Sequence, residues 1–276
     1  MRTVLVLLRC CHPEPTAAVT LVMTALAVTT GNTLGGVVLV ALAVLSGQLS
    51  IGWLNDLLDA DRDIATGRTD KPLAAGEVGR RTVGVATGAA VAVCAVLSVW
   101  AAGPAGGLLH LVAVGAGLAY DVRLKSTPFS LLPYLVCFAL LPVFVVAALP
   151  GSPLPPWWLP VAGGLLGGGA HFANVLPDLD DDAATGVRGL PHVLGARGSR
   201  VAAAVLLLGA TLVIALAAPV PVWPAVSVPV LAAILLGAGF AMGRRRPGSR
   251  APFRAVLLVA VLAVGLLLVA GPAVVA

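Results

Sequence analysis

Charge is scarce in this 276-residue chain: Asp, Glu, Lys and Arg together make up 11% of it, against 59% hydrophobic residues and a mean hydropathy of +1.02. Soluble domains carry about a quarter charged residues, so the composition excludes a soluble globular class and points to a polytopic membrane protein. Aromatics are only 5%, and no basic patch is interleaved with them, so the net charge of +5 does not point to nucleic acid. It fits membrane orientation and contact with anionic lipid. The four cysteines lack metal-ligand spacing, and adjacent Cys10 and Cys11 cannot readily close an ordinary disulfide. All four read as unpaired thiols. The apolar run 3–8 is too short for a secretory signal and is ended by Arg9, which suggests an interfacial entry segment.

What the chain has in excess is long apolar runs. A crossing helix needs about 20 such residues, and nine runs qualify: 16–31, 34–57, 82–102, 104–120, 128–149, 157–178, 199–217, 222–243 and 252–271. The expectation is an all-α bundle of about nine transmembrane helices around a central cavity, a single domain over 1–276. All 17 Lys and Arg fall in the N-terminal segment and the loops on one side of this topology, and none in the outer loops near Gly103, Pro150–Pro156 and Pro219–Pro221. By the positive-inside rule the chain belongs in the cell membrane, with its N-terminus and acidic loops cytoplasmic.

Two acidic stretches stand out at that face: Asn55 to Asp63 and Asn174 to Asp182. A shift of 119 residues superimposes them without a gap over 55–81 and 174–200. Asn55 falls on Asn174, Asp59 on Asp178, Asp61 on Asp180 and Asp63 on Asp182; Gly67, Pro72, Gly76 and Gly79 fall on Gly186, Pro191, Gly195 and Gly198. Sites in duplicated membrane bundles often lie between the repeats.

Residues four apart share a helix face, so Asn55, Asp59 and Asp63 form one ladder and Asn174, Asp178 and Asp182 another. Facing ladders would repel one another unless a cation lay between them. Mg2+ takes hard oxygen ligands, one or two carboxylates plus substrate phosphates, so the pair reads as a Mg2+-bridged diphosphate site. Arg68, Lys71, Arg123 and Lys125 on neighbouring loops could hold the outer phosphate oxygens, although a loop Lys or Arg is often only a topological anchor. A solvated loop explains one acidic run at a membrane edge; it does not explain two in matching register. His110 and His171 read as packing or cavity-lining residues, His12 and His192 as interfacial, and Tyr120 as an anchor or a substrate-facing ring.

These residues resemble the UbiA superfamily of intramembrane prenyltransferases. The N-D-x2-D-x3-D motif matches Asn55, Asp56, Asp59 and Asp63. Arg68 to Gly76 (RTDKPLAAG) resembles the family's basic loop, and Tyr120 to Lys125 (YDVRLK) the loop after its fourth helix. The D-x3-D motif matches Asp178 and Asp182. The resemblance implies transfer of a prenyl group from an isoprenoid diphosphate to an aromatic or lipophilic acceptor in the membrane, with Mg2+ as cofactor. It implies Asp59, Asp63, Asp178 and Asp182 as metal ligands, with Asn55, Asp56 and Asn174 assisting. Asp61, Asp180 and Asp181 are secondary candidates. Lys71 joins the aspartates as catalytic, and Asn55, Arg68, Lys71, Arg123, Lys125, Asn174 and Tyr120 bind the diphosphate. Many quinone-pathway members carry a cation near the start of the first helix; here the segment is His12-Pro13-Glu14-Pro15-Thr16. Alternatives are a terpene cyclase of the same family and, remotely, a carboxylate-based ion-coupled transporter. The D-G-x2-A-R signature of a CDP-alcohol phosphotransferase is absent.

Overall fold

A computed structural model describes residues 2–69, 71–184, 186–246 and 249–271, with the side chains of Arg2, Asp180 and Asp181 outside the description. The secondary candidates Asp180 and Asp181 therefore lie outside the described side chains. The helices are α1 (Arg2–Cys10), α2 (Pro13–Thr29), α3 (Leu34–Ala65), α4 (Arg80–Val122), α5 (Leu131–Ala147), α6 (Trp158–Val175), α7 (Leu179–Ala184), α8 (Leu190–Ala217), α9 (Val222–Arg245) and α10 (Ala251–Ala270). Among the described residues there is no strand. Among those residues five helices are long and apolar enough to cross a membrane, as a multi-pass membrane protein requires.

The 43-residue α4 is two arms rather than one rod. Gly103 (φ 66°) precedes Pro104, and the helical backbone breaks there. The Ser98 hydroxyl consequently lies 2.7 Å from Nδ1 of His110, twelve residues on, which a straight helix would hold about 18 Å apart. The nine apolar runs thus correspond to α2, α3, the two arms of α4, α5, α6, α8, α9 and α10. The segment 3–8 lies in the short helix α1, which is fixed to α3 where Trp53 Nε1 donates to the Leu7 carbonyl (2.8 Å).

Packing is tightest where glycine replaces side chains. A Cβ on Gly52 of α3 would stand 2.3 Å from the Cys11 carbonyl oxygen, at the junction of α1 and α2. On α6, Cβ atoms on Gly163 and Gly167 would stand 2.3 and 2.4 Å from atoms of Phe138 on α5, and one on Gly169 would meet Leu207 of α8. The glycine-dense α6 is therefore held between α5 and α8. In the main core, Phe144, Leu159, Phe172 and Leu207 are fully buried or nearly so.

α8 begins at Leu190, well before the apolar run at 199, and two further boundaries differ where the acidic stretches lie. α3 continues past residue 57 to Ala65, so the entire first stretch is helical. The backbone needs no apolar residues to stay helical, only unbroken i to i−4 bonds. In the second half α6 ends at Val175, a 3-10 turn covers Leu176–Asp178, and α7 resumes at Leu179. The physical difference is Pro177, which stands where the first half has Leu58 and brings no N–H to the ladder. The second set is therefore stepped rather than one regular i, i+4 ladder.

Past this step, two backbone hydrogen bonds recur in both halves of the repeat. Arg68 N donates to the Asp63 carbonyl (2.9 Å), and Val187 N to that of Asp182 (2.9 Å); Gly67 N donates to Ile64 O (3.2 Å), and Gly186 N to Ala183 O (3.3 Å). Gly67 and Gly186 share left-handed φ values of 68° and 85°, the usual close of a helix C-terminus. Added Cβ atoms would meet nothing within 4 Å at either position, so the backbone alone sets the cost. Gly67→Ala and Gly186→Ala should each destabilise the chain by about 1 kcal/mol, and by similar amounts, read as the thermal midpoint in one detergent.

Candidate functional site

The site is assembled from the lower end of α3, the loop 66–79, the turn between α4 and α5, and the segment around α7. Asp59 lies at its centre. Lys125, just past α4, donates to Asp59 Oδ1 (2.7 Å), and Arg62, one turn on in α3, to Oδ2 (2.9 Å). Both carboxylate oxygens are thus held by cations, the side chain being only 12% exposed. Asp63, the next rung, is buried.

A second cluster sits one turn higher. The Lys71 ammonium donates to Asp56 Oδ1 at 2.6 Å, and Nε2 of His12 lies 3.0 Å from that ammonium and 3.1 Å from Asn55 Oδ1. Asn55 Nδ2 donates in turn to Asp121 Oδ1 (3.0 Å) at the end of α4. His12 (φ 53°) turns the chain between α1 and α2, which aims its ring into this cluster. Asp56, expected among the metal ligands, is placed here as the counterion of Lys71. Its Oδ2 and that of Asp121 are buried with no hydrogen-bond partner. Buried lone pairs left unpaired in this way call for a donor or a cation.

The second acidic set approaches the first through shared cations. Burial raises the Asp182 carboxyl above its ordinary range; Arg62 pulls it down, neighbouring Asp178 pushes it up, and His192 and Lys125 lower it further. Arg62 and Lys125, the two cations in contact with Asp59, thus also act electrostatically on Asp182. Asp178 and Asn174 are exposed where they stand, and the Asn174 side chain reaches Tyr134.

Aromatic rings cover the inner side. Tyr120 packs edge-on against Tyr134 (centroids 5.1 Å apart) and against His171 (5.8 Å). Tyr134 lies 4.8 Å from His171 and stacks parallel to Phe138 at 6.1 Å. Tyr120 thus sits against the cluster, and His171 belongs to it. His110 is elsewhere, stacked on Phe144 within the α4 hairpin region.

Of the expected cations, Lys71 and Lys125 are drawn into the site. Arg68 and Arg123 are exposed at its rim. Asp61 is off the ladder face, 84% exposed and paired with Arg80. Residue patterns did not single out Arg62, Asp121, Tyr134 or Ser130. Arg62 was legible as the sole cation inside an acidic stretch, and Asp121 as the acid within Tyr120 to Lys125.

Among the described residues, no three acidic, His or Cys side chains converge closely enough to hold an ion alone. The donor chemistry nonetheless suits a hard divalent cation: the acidic sets and the Asn55 amide offer oxygens, two of the carboxylate oxygens nearby are unpaired, and phosphate would supply the remaining ligands.

The family model of the UbiA prenyltransferase family matches residues 16–260. No curated protein matches the sequence. Among solved structures, the chain is similar to a digeranylgeranylglyceryl phosphate synthase in membranes (TM-score 0.74, 15% identity, covering 99% of each chain). It is also similar to a UbiA homologue from Archaeoglobus fulgidus bound to GPP and Mg2+ (TM-score 0.68, 20% identity, 95% of this chain and 98% of that one). A third similar structure is the apo form of a UbiA homologue from Aeropyrum pernix K1 (TM-score 0.67, 22% identity, 91% and 95%). At these identities the likeness is one of fold.

Proposed function

Since this chain belongs to the UbiA prenyltransferase family, we propose that it transfers a prenyl group from an isoprenoid diphosphate to a lipophilic or aromatic acceptor inside the membrane, with Mg2+ as cofactor. The observation that carries this reading is the pair of cations, Arg62 and Lys125, held on Asp59 while lying within electrostatic reach of Asp182. Acidic groups from both halves and basic groups between them are what a bridging diphosphate needs.

Asp59, Asp63, Asp178 and Asp182 would hold the metal, with Asn55 and Asn174 lending amide oxygens. Bound Mg2+ supplies Lewis-acid neutralisation of the diphosphate oxygens. The protein's own cations complete it. Lys125 and Arg62 turn from Asp59 toward phosphate, Lys71 is steered by Asp56, and Arg68 and Arg123 close the outer side. Together they stabilise the charge that grows on the leaving group as the allylic C–O bond breaks. The rings of Tyr120, Tyr134 and His171 lie on the inner side of the acids. There the electron-rich faces of Tyr120 and Tyr134 stabilise the allylic cation, with His171 buried behind them, and the bulk of the three rings keeps water from it. The acceptor then bonds to the carbon that the diphosphate has left and gives up a proton, which leaves with the released diphosphate.

The test uses the purified full chain with a panel of prenyl diphosphates and aromatic acceptors, read by mass spectrometry. Mg2+-dependent diphosphate release with a prenylated product is expected, and chelation should lower the rate by about 10^3-fold, equivalent to about 4 kcal/mol of lost leaving-group stabilisation. A cyclic hydrocarbon formed without an acceptor would make the chain a cyclase, and absence of release with every donor would overturn the reading.

A further inference from the structure

The chemistry above makes no use of Ser130, a fully buried residue that immediately precedes α5. Its Oγ accepts the backbone N–H of Leu190, the first residue of α8, at 2.9 Å. The same oxygen lies 3.1 Å from Nε2 of His171 on α6. Gly189 closes the junction from the third side: a Cβ there would stand 2.6 Å from the Lys125 carbonyl oxygen and 2.7 Å from Ser130 Oγ. One hydroxyl therefore joins the segment that carries Lys125 to the segment that follows Asp182, and it also holds one edge of the His171 ring.

The two segments matter because each leads straight to an acidic set. Lys125 donates to Asp59, and the chain from Asp182 returns to Leu190 through the capped turn at Gly186 and Val187.

We propose that Ser130 is a positioning residue that sets the separation of the two acidic sets and fixes the His171 ring beside Tyr134. This rests on the reading of the site as a prenyl diphosphate site. A ligand that bridges both halves is bound only as tightly as the halves are held in register, and outer supports of this kind typically change affinity 10- to 100-fold when removed. The deletion of the hydroxyl should therefore fall on substrate binding more than on the fraction of folded protein.

Ser130→Ala removes the latch. Gly189→Ala keeps the hydroxyl and wedges the same segments apart. Both should raise KM for the prenyl diphosphate by about 10-fold or more, with a smaller change in kcat per folded protein, while Ser130→Thr, which keeps the hydroxyl, returns KM toward the wild-type value. A second readout needs no turnover. The four native cysteines are buried, so nitroxides can be placed through Ser126→Cys and Arg188→Cys, both at exposed positions. Dipolar broadening between them should weaken in the Ser130→Ala background. KM unchanged in both variants, with only a lowered thermal midpoint, would reduce Ser130 to a packing residue and overturn the proposal; so would unchanged broadening. If the wild type releases no diphosphate with Mg2+, the prenyltransferase reading falls, and the broadening alone decides whether Ser130 holds the two segments together.

Discussion

Asp59→Asn is expected to lower diphosphate release by about 10^3-fold or more, the scale of losing one principal charged group from a preorganised site, with the chain still folded. The substitution keeps the shape of the side chain and removes its charge. That charge holds Lys125 at 2.7 Å and Arg62 at 2.9 Å, so the variant also frees two cations that otherwise stand ready for phosphate. Asp178→Asn should behave alike from the opposite half. Asp61→Asn is the informative contrast. Asp61 lies between Asp59 and Asp63 in sequence, yet it is 84% exposed and paired with Arg80; such surface pairs contribute little, and the rate should stay close to wild type. Full activity in Asp59→Asn, measured by release of labelled diphosphate, would sink the assignment of this face.

The second large effect is on stability. Gly163→Ala should cost about 3 kcal/mol, at the upper end of overpacking effects, and lower the thermal midpoint by roughly 6–12 °C. The added Cβ would lie 2.3 Å from the Phe138 carbonyl oxygen and 3.0 Å from Cγ of Pro142. Backbone cannot yield as the end of a flexible side chain can, so α5 and α6 must separate. That separation displaces Tyr134 and His171 from each other, and turnover should fall with stability. Gly115→Ala on α4 supplies the control. Its Cβ would meet nothing within 4 Å, and alanine is the better helix former by about 1 kcal/mol. A midpoint for Gly163→Ala equal to that of Gly115→Ala would contradict the close approach of α5 and α6.

Much of this architecture was legible because membrane helices are written in long apolar runs and because duplicated motifs keep their spacing. The turn at Gly103, the membership of Asp59 and Asp63 in one helical face, and the match of Gly67 to Gly186 all follow from such local patterns. What escaped was of two kinds. One was helix that continues after apolarity stops: α3 runs on to Ala65 because nothing in Leu57 to Ala65 breaks its backbone bonds, whereas hydropathy alone ended it at 57. The other was pairing across distance. Lys71 with Asp56, Asn55 with Asp121 and Lys125 with Asp59 join residues 15, 66 and 66 positions apart, and no periodicity encodes such partners. His12 reads as interfacial from the sequence because its φ of 53°, which swings the ring inward, has no signature in a chain of L residues. Pro177 was in plain view, but its effect appears only when it is set against Leu58, its partner in the repeat.

That single difference gives the site the mechanics of a vise. A vise has one jaw cast with its frame and one that rides on a joint. α3 carries Asp59 and Asp63 on a helix continuous from Leu34 to Ala65, so its jaw is cast with the bundle. Asp178 and Asp182 follow a three-residue 3-10 turn containing Pro177, where the run of backbone bonds is cut. In the proposed mechanism, the slack needed to admit a diphosphate and let it go would lie in the second jaw, and the first would be the surface against which it closes.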